Sequence, residues 1–424
     1  MMKRSLIAPH LLASLFATTS LFGVDWSQYR GPNSDGTTSE KIAPWAAAGP
    51  KVLWKTPSAA GFSSFAVAGS RCFSLESREV DGLLQEVLVA RLTESGKEIW
   101  SGAIGSAKYD GGGDAGAGSN KGGDGPRSTP TTDGAEVFTI SARLVLQAFD
   151  AASGKAVWKK DIMGEFGGKN IQWQNAASPL LDGGLIFMAG GGPGSSLLAF
   201  QAADGALAWK GFDEKMTHAT PIVATIHGKR QVIFFVQSGL LSVDPKTGKE
   251  LWRYAFNYST STAASPVVAG DIVYCSAGYG VGAGAVRVVK AGEQWTATEI
   301  YRIRNNQLAN HWSTPILKDG FLYGMFQFKE YGKGAIKCVD IKDGTVKWEQ
   351  AGFGPGQVIL AGDKVLALSD AGDLVLFEAK SDAYHEISRA HVLDGKCWNT
   401  PVLSGGKVFA RSTKEAVCLE VAGK

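Results

Sequence analysis

The stretch SVDPKTGKELW, at residues 242–252, has an aspartate, a glycine four residues later and a tryptophan four residues after that. The same pattern recurs in AFDAASGKAVW (148–158) and CVDIKDGTVKW (338–348). ARLTESGKEIW (90–100) and AFQAADGALAW (199–209) keep the glycine and the tryptophan. An aspartate carboxylate caps a turn, and glycine adopts a positive φ at little cost. The pattern therefore predicts a repeated hairpin whose tryptophan covers the neighbouring copy.

A second repeated feature is a serine or threonine followed by proline, directly before an alternating apolar run. The six prolines are Pro130, Pro179, Pro221, Pro266, Pro315 and Pro401. They are separated by 49, 42, 45, 49 and 86 residues, and the last interval equals two steps with a degenerate copy near Gln357-Val358. A period near 45 residues with strand-like alternation indicates propeller blades. Because proline fixes φ and the hydroxyl bonds nearby backbone, we interpret the pair mainly as scaffold.

The number of copies and the two chain ends predict a closed ring. Seven copies begin at these prolines and near Val358, and one more precedes them at residues 61–100. The last copy ends at EAVCLEVAGK without a tryptophan strand, whereas GPKVLWKT (49–56) contains Trp54 on a strand that has no hairpin partner. Closing the ring removes exposed sheet edges. We predict an all-β fold, an eight-bladed β-propeller of four-stranded antiparallel blades, closed by the N-terminal strand.

The first residues predict export. Lys3 and Arg4 precede a largely apolar stretch at residues 6–22, which is typical of a secretory signal peptide; a membrane anchor is the alternative. No later run has the roughly 18 apolar residues of a membrane helix, so we expect no stable membrane insertion. The predicted organisation is a signal peptide at 1–23, an N-terminal segment at 24–48 and one propeller domain at 49–424. We expect a periplasmic or secreted protein.

Net charge and cysteine content indicate which partners and which thiol chemistry to expect. The formal net charge is +3 and the basic residues are scattered, so nucleic acid is not an expected partner. The chain has five cysteines without a CxxC pair, and four of them lie in apolar alternations, which favours buried free thiols. One disulfide remains open on sequence grounds.

The repeats resemble the pyrroloquinoline-quinone (PQQ) repeat family, which includes quinoprotein alcohol dehydrogenases and the BamB-type outer-membrane assembly lipoprotein. The resemblance rests on the Asp/Gly/Trp pattern with its Ser/Thr-Pro start and covers the chain from about Trp45 to the C-terminus. DWSQYRGPNSDG (25–36) also resembles the W-x-x-F/Y-R-G-P start of exported bacterial members. The Trp-Asp and Gly-Gly signatures of WD and kelch propellers are absent from the sequence.

Residues shortly before the prolines are predicted to converge on one mouth of the central channel. Concave sites that combine apolar walls with a few polar groups are the usual places for ligands. The candidate ligand-binding residues are Arg127, Asn175, His218, His311, Trp312 and Trp398. The alternative is that they only plug and hydrate the mouth, with the histidines as ordinary hydrogen-bonded side chains.

For the quinoprotein enzymes, the resemblance implies a quinone between a tryptophan and a disulfide of adjacent cysteines, beside a calcium ion, with an aspartate as base. This sequence has no adjacent cysteines, no CxxCH and no acidic residue just before the prolines. Trp312 or Trp398 could stack on a quinone, and Arg127 could meet its carboxylate. We expect no cofactor, with PQQ and calcium as the alternative.

The glycine-rich insert at residues 105–125 offers oxygen ligands of the type that calcium prefers. The alternative interpretation is that the insert is a flexible surface loop. These ligands are Asp110, Asp114, Asn120 and Asp124. The sequence has no HExxH or GxSxG motif. We predict a non-catalytic exported propeller that binds a small-molecule ligand or an envelope protein at the channel mouth. A divergent PQQ-dependent dehydrogenase is the first alternative, and a BamB-like scaffold for outer-membrane protein assembly is the second.

Overall fold

The computed structural model describes residues 24–109, 125–258, 262–326 and 332–423, and within them it contains eight sheets arranged as blades. Two strands precede the first blade, β1 (Thr37–Thr38) and β2 (Lys51–Pro57). Each blade has four antiparallel strands, as predicted. One short helix, α1 (Ile162–Phe166), joins the second and third blades.

The strands are given from the channel outward. Blades 1 to 3 contain β3 (Ala66–Ala68), β4 (Arg71–Val80), β5 (Leu83–Leu92), β6 (Glu98–Ser106); β7 (Thr131–Thr132), β8 (Glu136–Ile140), β9 (Val145–Asp150), β10 (Ala156–Asp161); β11 (Leu180–Asp182), β12 (Leu185–Ala189), β13 (Leu197–Gln201), β14 (Leu207–Gly211). Blades 4 to 6 contain β15 (Ile222–Ile226), β16 (Lys229–Val236), β17 (Gly239–Val243), β18 (Glu250–Ala255); β19 (Val267–Ala269), β20 (Ile272–Ala277), β21 (Gly282–Ala291), β22 (Gln294–Ile303); β23 (Ile316–Lys318), β24 (Phe321–Met325), β25 (Ile336–Asp340), β26 (Val346–Gln350). Blade 7 contains β27 (Gln357–Ala361), β28 (Lys364–Leu368), β29 (Asp373–Glu378), β30 (Glu386–His391), and blade 8 contains β31 (Val402–Ser404), β32 (Lys407–Arg411), β33 (Glu415–Glu420).

The N-terminal strand closes the ring, which confirms the prediction. Strand β2 pairs antiparallel with β33, with Lys51 opposite Glu420 and Thr56 opposite Ala416, and so becomes the outermost strand of blade 8. The indole N–H of Trp54 on β2 donates to the carbonyl of Thr93 in blade 1 at 2.9 Å. The first and last blades are therefore joined by covalent connectivity as well as by packing.

The Asp/Gly/Trp pattern forms the seam between blades. The Asp150 carboxylate accepts the Ser153 backbone N–H at 2.7 Å, and Gly154 that follows has φ 72°. A Cβ added to Gly154 would lie 2.6 Å from the ring of Trp100, which belongs to the preceding blade. The Trp100 indole N–H also donates to the Ala151 carbonyl at 3.2 Å. Glycine is required because the indole lies against its α-carbon. Trp100 therefore covers the turn of the next copy, and Trp54, Trp158 and Trp209 do the same at Gly96, Gly205 and Gly248.

The hydroxyls of the Ser/Thr-Pro pairs form a belt around the channel. Four of these hydroxyls accept the backbone N–H of the equivalent residue in the preceding blade, at 2.9–3.0 Å. The donor and acceptor residues are Ser64 to Thr129, Thr129 to Ser178, Ser178 to Thr220, and Ser265 to Thr314. The prediction of a bond to nearby backbone was wrong in range, because the short innermost strands bring adjacent blades together at the axis.

The N-terminal segment crosses one end of the channel. Trp26 forms a two-residue bridge with Val67 of β3, and its side chain is 1% exposed. Arg30, which is 2% exposed, donates to the carbonyls of Thr314 at 2.9 Å and Pro315 at 2.8 Å. Strand β1 then pairs parallel with β27 and adds a fifth strand to blade 7. The segment therefore closes the end of the channel that lies beyond the Ser/Thr-Pro belt.

A buried charge cluster lies where blade 8 meets blade 1. The Glu76 carboxylate is 2.7 Å from Arg91 and 2.8 Å from Arg78. Arg411 of blade 8 is fully buried and donates to the carbonyls of Ala59 and Leu75. Burial opposes ionisation, but the guanidinium groups of Arg411, Arg91 and Arg78 outweigh it and lower the pKa of Glu76 to about 2.

Candidate functional site

A cavity of about 200 Å³ lies on the axis of the ring, and every blade contributes to it. One lining residue from each blade, in order, is Phe62, Arg127, Ala176, His218, Ala263, Trp312, Gln357 and Trp398. Tyr29 of the N-terminal segment lines the cavity together with Ser64 and Thr129 of the hydroxyl belt. Since the N-terminal segment crosses the far end of the channel, the cavity is a funnel that opens at the mouth before the Ser/Thr-Pro pairs.

One wall of the cavity is a continuous row of rings. Phe62 stacks on Trp398 with ring centroids 4.7 Å apart, and Trp398 lies 5.1 Å from Trp312. His311 lies 4.8 Å from Trp312, and Tyr279 meets His311 edge-on at 5.0 Å. Tyr279 is 38% exposed, so the row reaches the surface. Offset and edge-to-face pairs of this kind stabilise each other and hold the rings in one arrangement.

The degenerate repeat of blade 7 holds the two tryptophans of this row in place. Gln357 stands where other blades have Ser/Thr-Pro, and its side-chain amide donates to the carbonyl of Trp312 at 2.7 Å and of Trp398 at 3.3 Å. The Trp312 indole N–H donates to the Pro355 carbonyl at 3.0 Å. The departure from the repeat therefore has a structural role in the cavity.

The opposite wall is a turn with unusual backbone. Trp173 and Gln174 have φ values of 65° and 61°, a left-handed conformation that costs about 1–3 kcal/mol for a residue other than glycine. Arg127 donates to the Trp173 carbonyl at 2.5 Å, and His218 Nε2 lies 2.7 Å from the Gln174 carbonyl. Burial, assisted by Arg127, lowers the pKa of His218 to about 3, so the ring is neutral and its Nε2–H donates. Both side chains hold the turn that presents Trp173.

A buried carboxyl lies behind Arg127. Glu86 is 1% exposed and accepts the Ala142 N–H at 2.8 Å and the Tyr109 hydroxyl at 3.0 Å. The Arg127 guanidinium lies 5.6 Å from the centre of the Tyr109 ring. Burial raises the pKa of Glu86 to about 7, although its hydrogen bonds and Arg127 oppose the shift.

Five of the six predicted site residues line the cavity: Arg127, His218, His311, Trp312 and Trp398. Asn175 does not; its side chain bonds the backbone of Ala177 at 3.0 and 3.1 Å and closes a local turn. Ligand binding by the set stays a prediction. Sequence reasoning missed Tyr29, Phe62, Trp173, Tyr279 and Gln357. Of these, Gln357 left a signal as the interruption of the repeat, and Tyr29 stands at the F/Y position of the W-x-x-F/Y-R-G-P start.

The groups that a quinone–calcium site would need do not assemble in the cavity. Among its described lining residues none is aspartate, glutamate or cysteine. The described residues contain no cluster of three or more His, Cys, Asp and Glu side chains that could hold a metal ion. The described cysteines are buried free thiols, Cys72, Cys275, Cys338, Cys397 and Cys418. The cavity therefore does not fit the calcium part of that site.

Two sequence predictions fall outside the described part of the chain. They are the signal peptide at 1–23 and the calcium ligands Asp110, Asp114, Asn120 and Asp124. Within the described ranges, no helix has the length and apolar character needed to cross a bilayer.

Comparison with solved structures shows which known proteins share this fold. BamB from Moraxella catarrhalis superposes with a TM-score of 0.60 at 12% identity, over 87% of this chain and 99% of that one. The quinohemoprotein alcohol dehydrogenase ADHIIG from Pseudomonas putida HK5 gives a TM-score of 0.64 at 11% identity, over 95% of this chain and 81% of that one. At these identities the likeness shows the fold alone.

Comparison of sequences identifies the family. The family model described as outer membrane protein assembly factor BamB matches residues 84–350. The protein of that name from Shewanella oneidensis is 25% identical over 257 residues, which is 58% of this chain and 62% of that protein. Its counterpart from Yersinia pestis is 23% identical over 289 residues, 62% of this chain and 68% of that protein. The match thus spans less than two thirds of the Shewanella relative. The chain belongs to the BamB family of PQQ-like repeat β-propellers.

Proposed function

We propose that the protein is a non-catalytic scaffold of the cell envelope that receives a side chain of a partner protein in its axial cavity. The row of rings from Phe62 to Tyr279, facing Arg127 and Trp173, is the observation that carries this proposal. Tryptophan, tyrosine and arginine in desolvated pockets supply most of the energy of protein interfaces. The volume of about 200 Å³ is below the ~300–1,000 Å³ of pockets that enclose a whole small ligand.

The polar groups of the cavity support a binding role over catalysis. Arg127 and His218 are hydrogen-bonded to the carbonyls of Trp173 and Gln174, and the neutral His218 is a weak base. The hydroxyls of Thr129 and Ser178 accept backbone N–H groups in the belt. General acid–base chemistry needs a group with a pKa near the working pH and within reach of the ligand. Glu86 has such a pKa but lies behind Arg127, outside the described lining.

Family membership supports the envelope assignment. The family model and the relatives from Shewanella and Yersinia carry the name of an outer membrane protein assembly factor. The predicted signal peptide would deliver this chain to the periplasm, where such partners are found. A role in outer-membrane protein assembly, through a protein held at the channel mouth, follows as the proposed function.

The test is recovery of partners from a solubilised envelope extract. The wild-type chain is compared with Trp312→Ala, which opens the aromatic row, and with Trp295→Ala, which removes a tryptophan from the outer strand of blade 5. We expect wild type and Trp295→Ala to recover outer-membrane assembly components and Trp312→Ala to lose them. Equal recovery by all three chains would contradict the use of the cavity, and recovery of no assembly component would contradict the function.

A second candidate is a divergent PQQ-dependent oxidoreductase, because Trp312 and Trp398 offer stacking faces and Arg127 offers a carboxylate partner. The test adds PQQ and calcium to the purified protein. Quinone absorbance that remains after gel filtration, together with dye-linked alcohol oxidation, would replace the scaffold proposal with this one. Loss of the quinone during filtration would remove the candidate.

A further inference from the structure

The N-terminal segment binds the inner edges of the first three blades through one repeated backbone position. In each of these three blades the position is the second residue of the innermost strand. Its N–H donates to an oxygen of the segment, at 2.8–3.0 Å. The donor and acceptor residues are Val67 to Trp26, Thr132 to Ser27, and Leu181 to the Gln28 side chain. The protein therefore binds an extended polypeptide along its own inner edges.

The segment then leaves this path and does not follow blades 4 and 5. After Gln28 the chain crosses to blade 6, where Arg30 donates to Thr314 and Pro315, and continues along blade 7 as β1. In the described part of the chain, no hydrogen bond joins the segment to β15 or β19. The inner edges of these two blades are left uncovered at the end of the channel that the segment otherwise closes.

The repeated position in these blades is occupied by Val223 and Val268. Each stands two residues after the proline, as Thr132 and Leu181 do. Each pairs with its neighbouring strand in the matching register, Val223 opposite Val232 and Val268 opposite Val273. Since hydrogen bonding alternates along an antiparallel pair, the N–H groups of both valines point toward the channel. Backbone donors in such a place need an acceptor.

A cavity of about 370 Å³ lies at these two edges, distinct from the axial cavity. Val223 and Val268 line it on the blade side, and Ser34 and Asp35 of the N-terminal segment line the other side. Its rim includes the exposed residue Thr225, so the cavity reaches the surface. The space thus continues the track of the N-terminal segment across the two blades that the segment omits.

We propose that this cavity docks an extended segment of a second polypeptide, which adds to the inner edges of blades 4 and 5 as the chain's own segment adds to blades 1 to 3. Carbonyl oxygens of the incoming segment accept the N–H groups of Val223 and Val268, a main-chain mode of peptide recognition. Ile222 and Val267 provide apolar lining for small or branched side chains. The site is independent of the proposed function of the axial cavity.

The probe is a phage-displayed library of random linear 12-residue peptides, selected on the purified full chain and measured by fluorescence anisotropy. Proline at an edge position whose N–H faces outward is tolerated by a strand. Val268→Pro therefore removes the backbone N–H at position 268. Val268→Ala shortens the side chain but keeps this N–H. We expect selected peptides to bind Val268→Pro at least about tenfold more weakly than wild type, because a carbonyl of the peptide is left without its donor, and to bind Val268→Ala within about twofold.

Equal binding to Val268→Pro and Val268→Ala, or a library that yields no binder, would overturn the proposal. Peptides that are lost with Trp312→Ala but retained by Val268→Pro would overturn it as well and would support the axial cavity instead. If Val268→Pro does not fold, amide hydrogen exchange of the wild-type chain tests the proposal instead. The amides of Val223 and Val268 should exchange faster than those of Thr132 and Leu181 in the free protein and become protected with peptide; equal protection in the free protein refutes the inference.

Discussion

The seam between blades gives the sharpest prediction, because two glycines share a backbone conformation but differ in surroundings. Gly205 has φ 70°, and a Cβ there would lie 2.7 Å from the ring of Trp158. Gly228 has φ 73°, and a Cβ there would meet nothing within 4 Å. Replacing either glycine with alanine imposes a left-handed backbone strain of about 1–2 kcal/mol. Only Gly205→Ala also displaces the tryptophan.

The displacement has a magnitude that follows from the contacts. The Trp158 indole N–H donates to the Ala202 carbonyl at 2.8 Å, and its loss destabilises by about 0.5–1.5 kcal/mol. Moving the ring from the turn exposes apolar surface worth a further ~1–2 kcal/mol at about 25 cal/mol per Å². We expect Gly205→Ala to lower the free energy of unfolding by about 2–3 kcal/mol more than Gly228→Ala does.

Urea denaturation followed by tryptophan fluorescence and by circular dichroism measures the difference. Both variants are compared with wild type in one buffer, so that the strain common to the two substitutions cancels. An equal loss of stability in Gly205→Ala and Gly228→Ala would refute the argument that the tryptophan requires glycine. A larger loss in Gly228→Ala would refute it more strongly.

Three further predictions concern the belt and the two buried carboxyls. Thr129→Val leaves the buried Ser64 N–H without its acceptor and should lower the free energy of unfolding by about 1–3 kcal/mol in urea denaturation. The pKa of Glu76 is lowered to about 2, so its contribution is present above about pH 5 and lost as the pH falls toward 2; Glu76→Gln should lack this part of the acid transition. The pKa of Glu86 is raised to about 7, so wild type should lose stability as the pH rises from about 4.5 to 7, and a Glu86→Gln variant that keeps this loss in thermal melts would contradict the assignment.

Much of the fold could be predicted because its determinants are local and repeated. The period near 45 residues, the Gly–Trp spacing and the unpaired strand at Trp54 fixed the number of blades and the closure of the ring. The belt was predicted only in part, because each of these hydroxyls accepts an N–H that is 42–65 residues away, in another blade. Spacing along one chain does not show that two innermost strands meet at the axis.

The candidate site was likewise predicted only in part from the sequence. The residues before the prolines were expected to meet, and five of six do, because the repeat sets their distance from the axis. Trp173 and Tyr279 lie in loops without period, and Tyr29 comes from the segment outside the repeats.

The sequence alone therefore determined the ring, its eight blades, its closure and the ends of the strands that approach the axis, since alternation and turn chemistry act between near neighbours. The tertiary structure alone decided that Arg127 and His218 hold a turn, that Gln357 joins two tryptophans, and that the N-terminal segment leaves two blades uncovered. Each of these depends on hydrogen bonds between segments distant in the chain, whose partners are selected only when the ring brings them together.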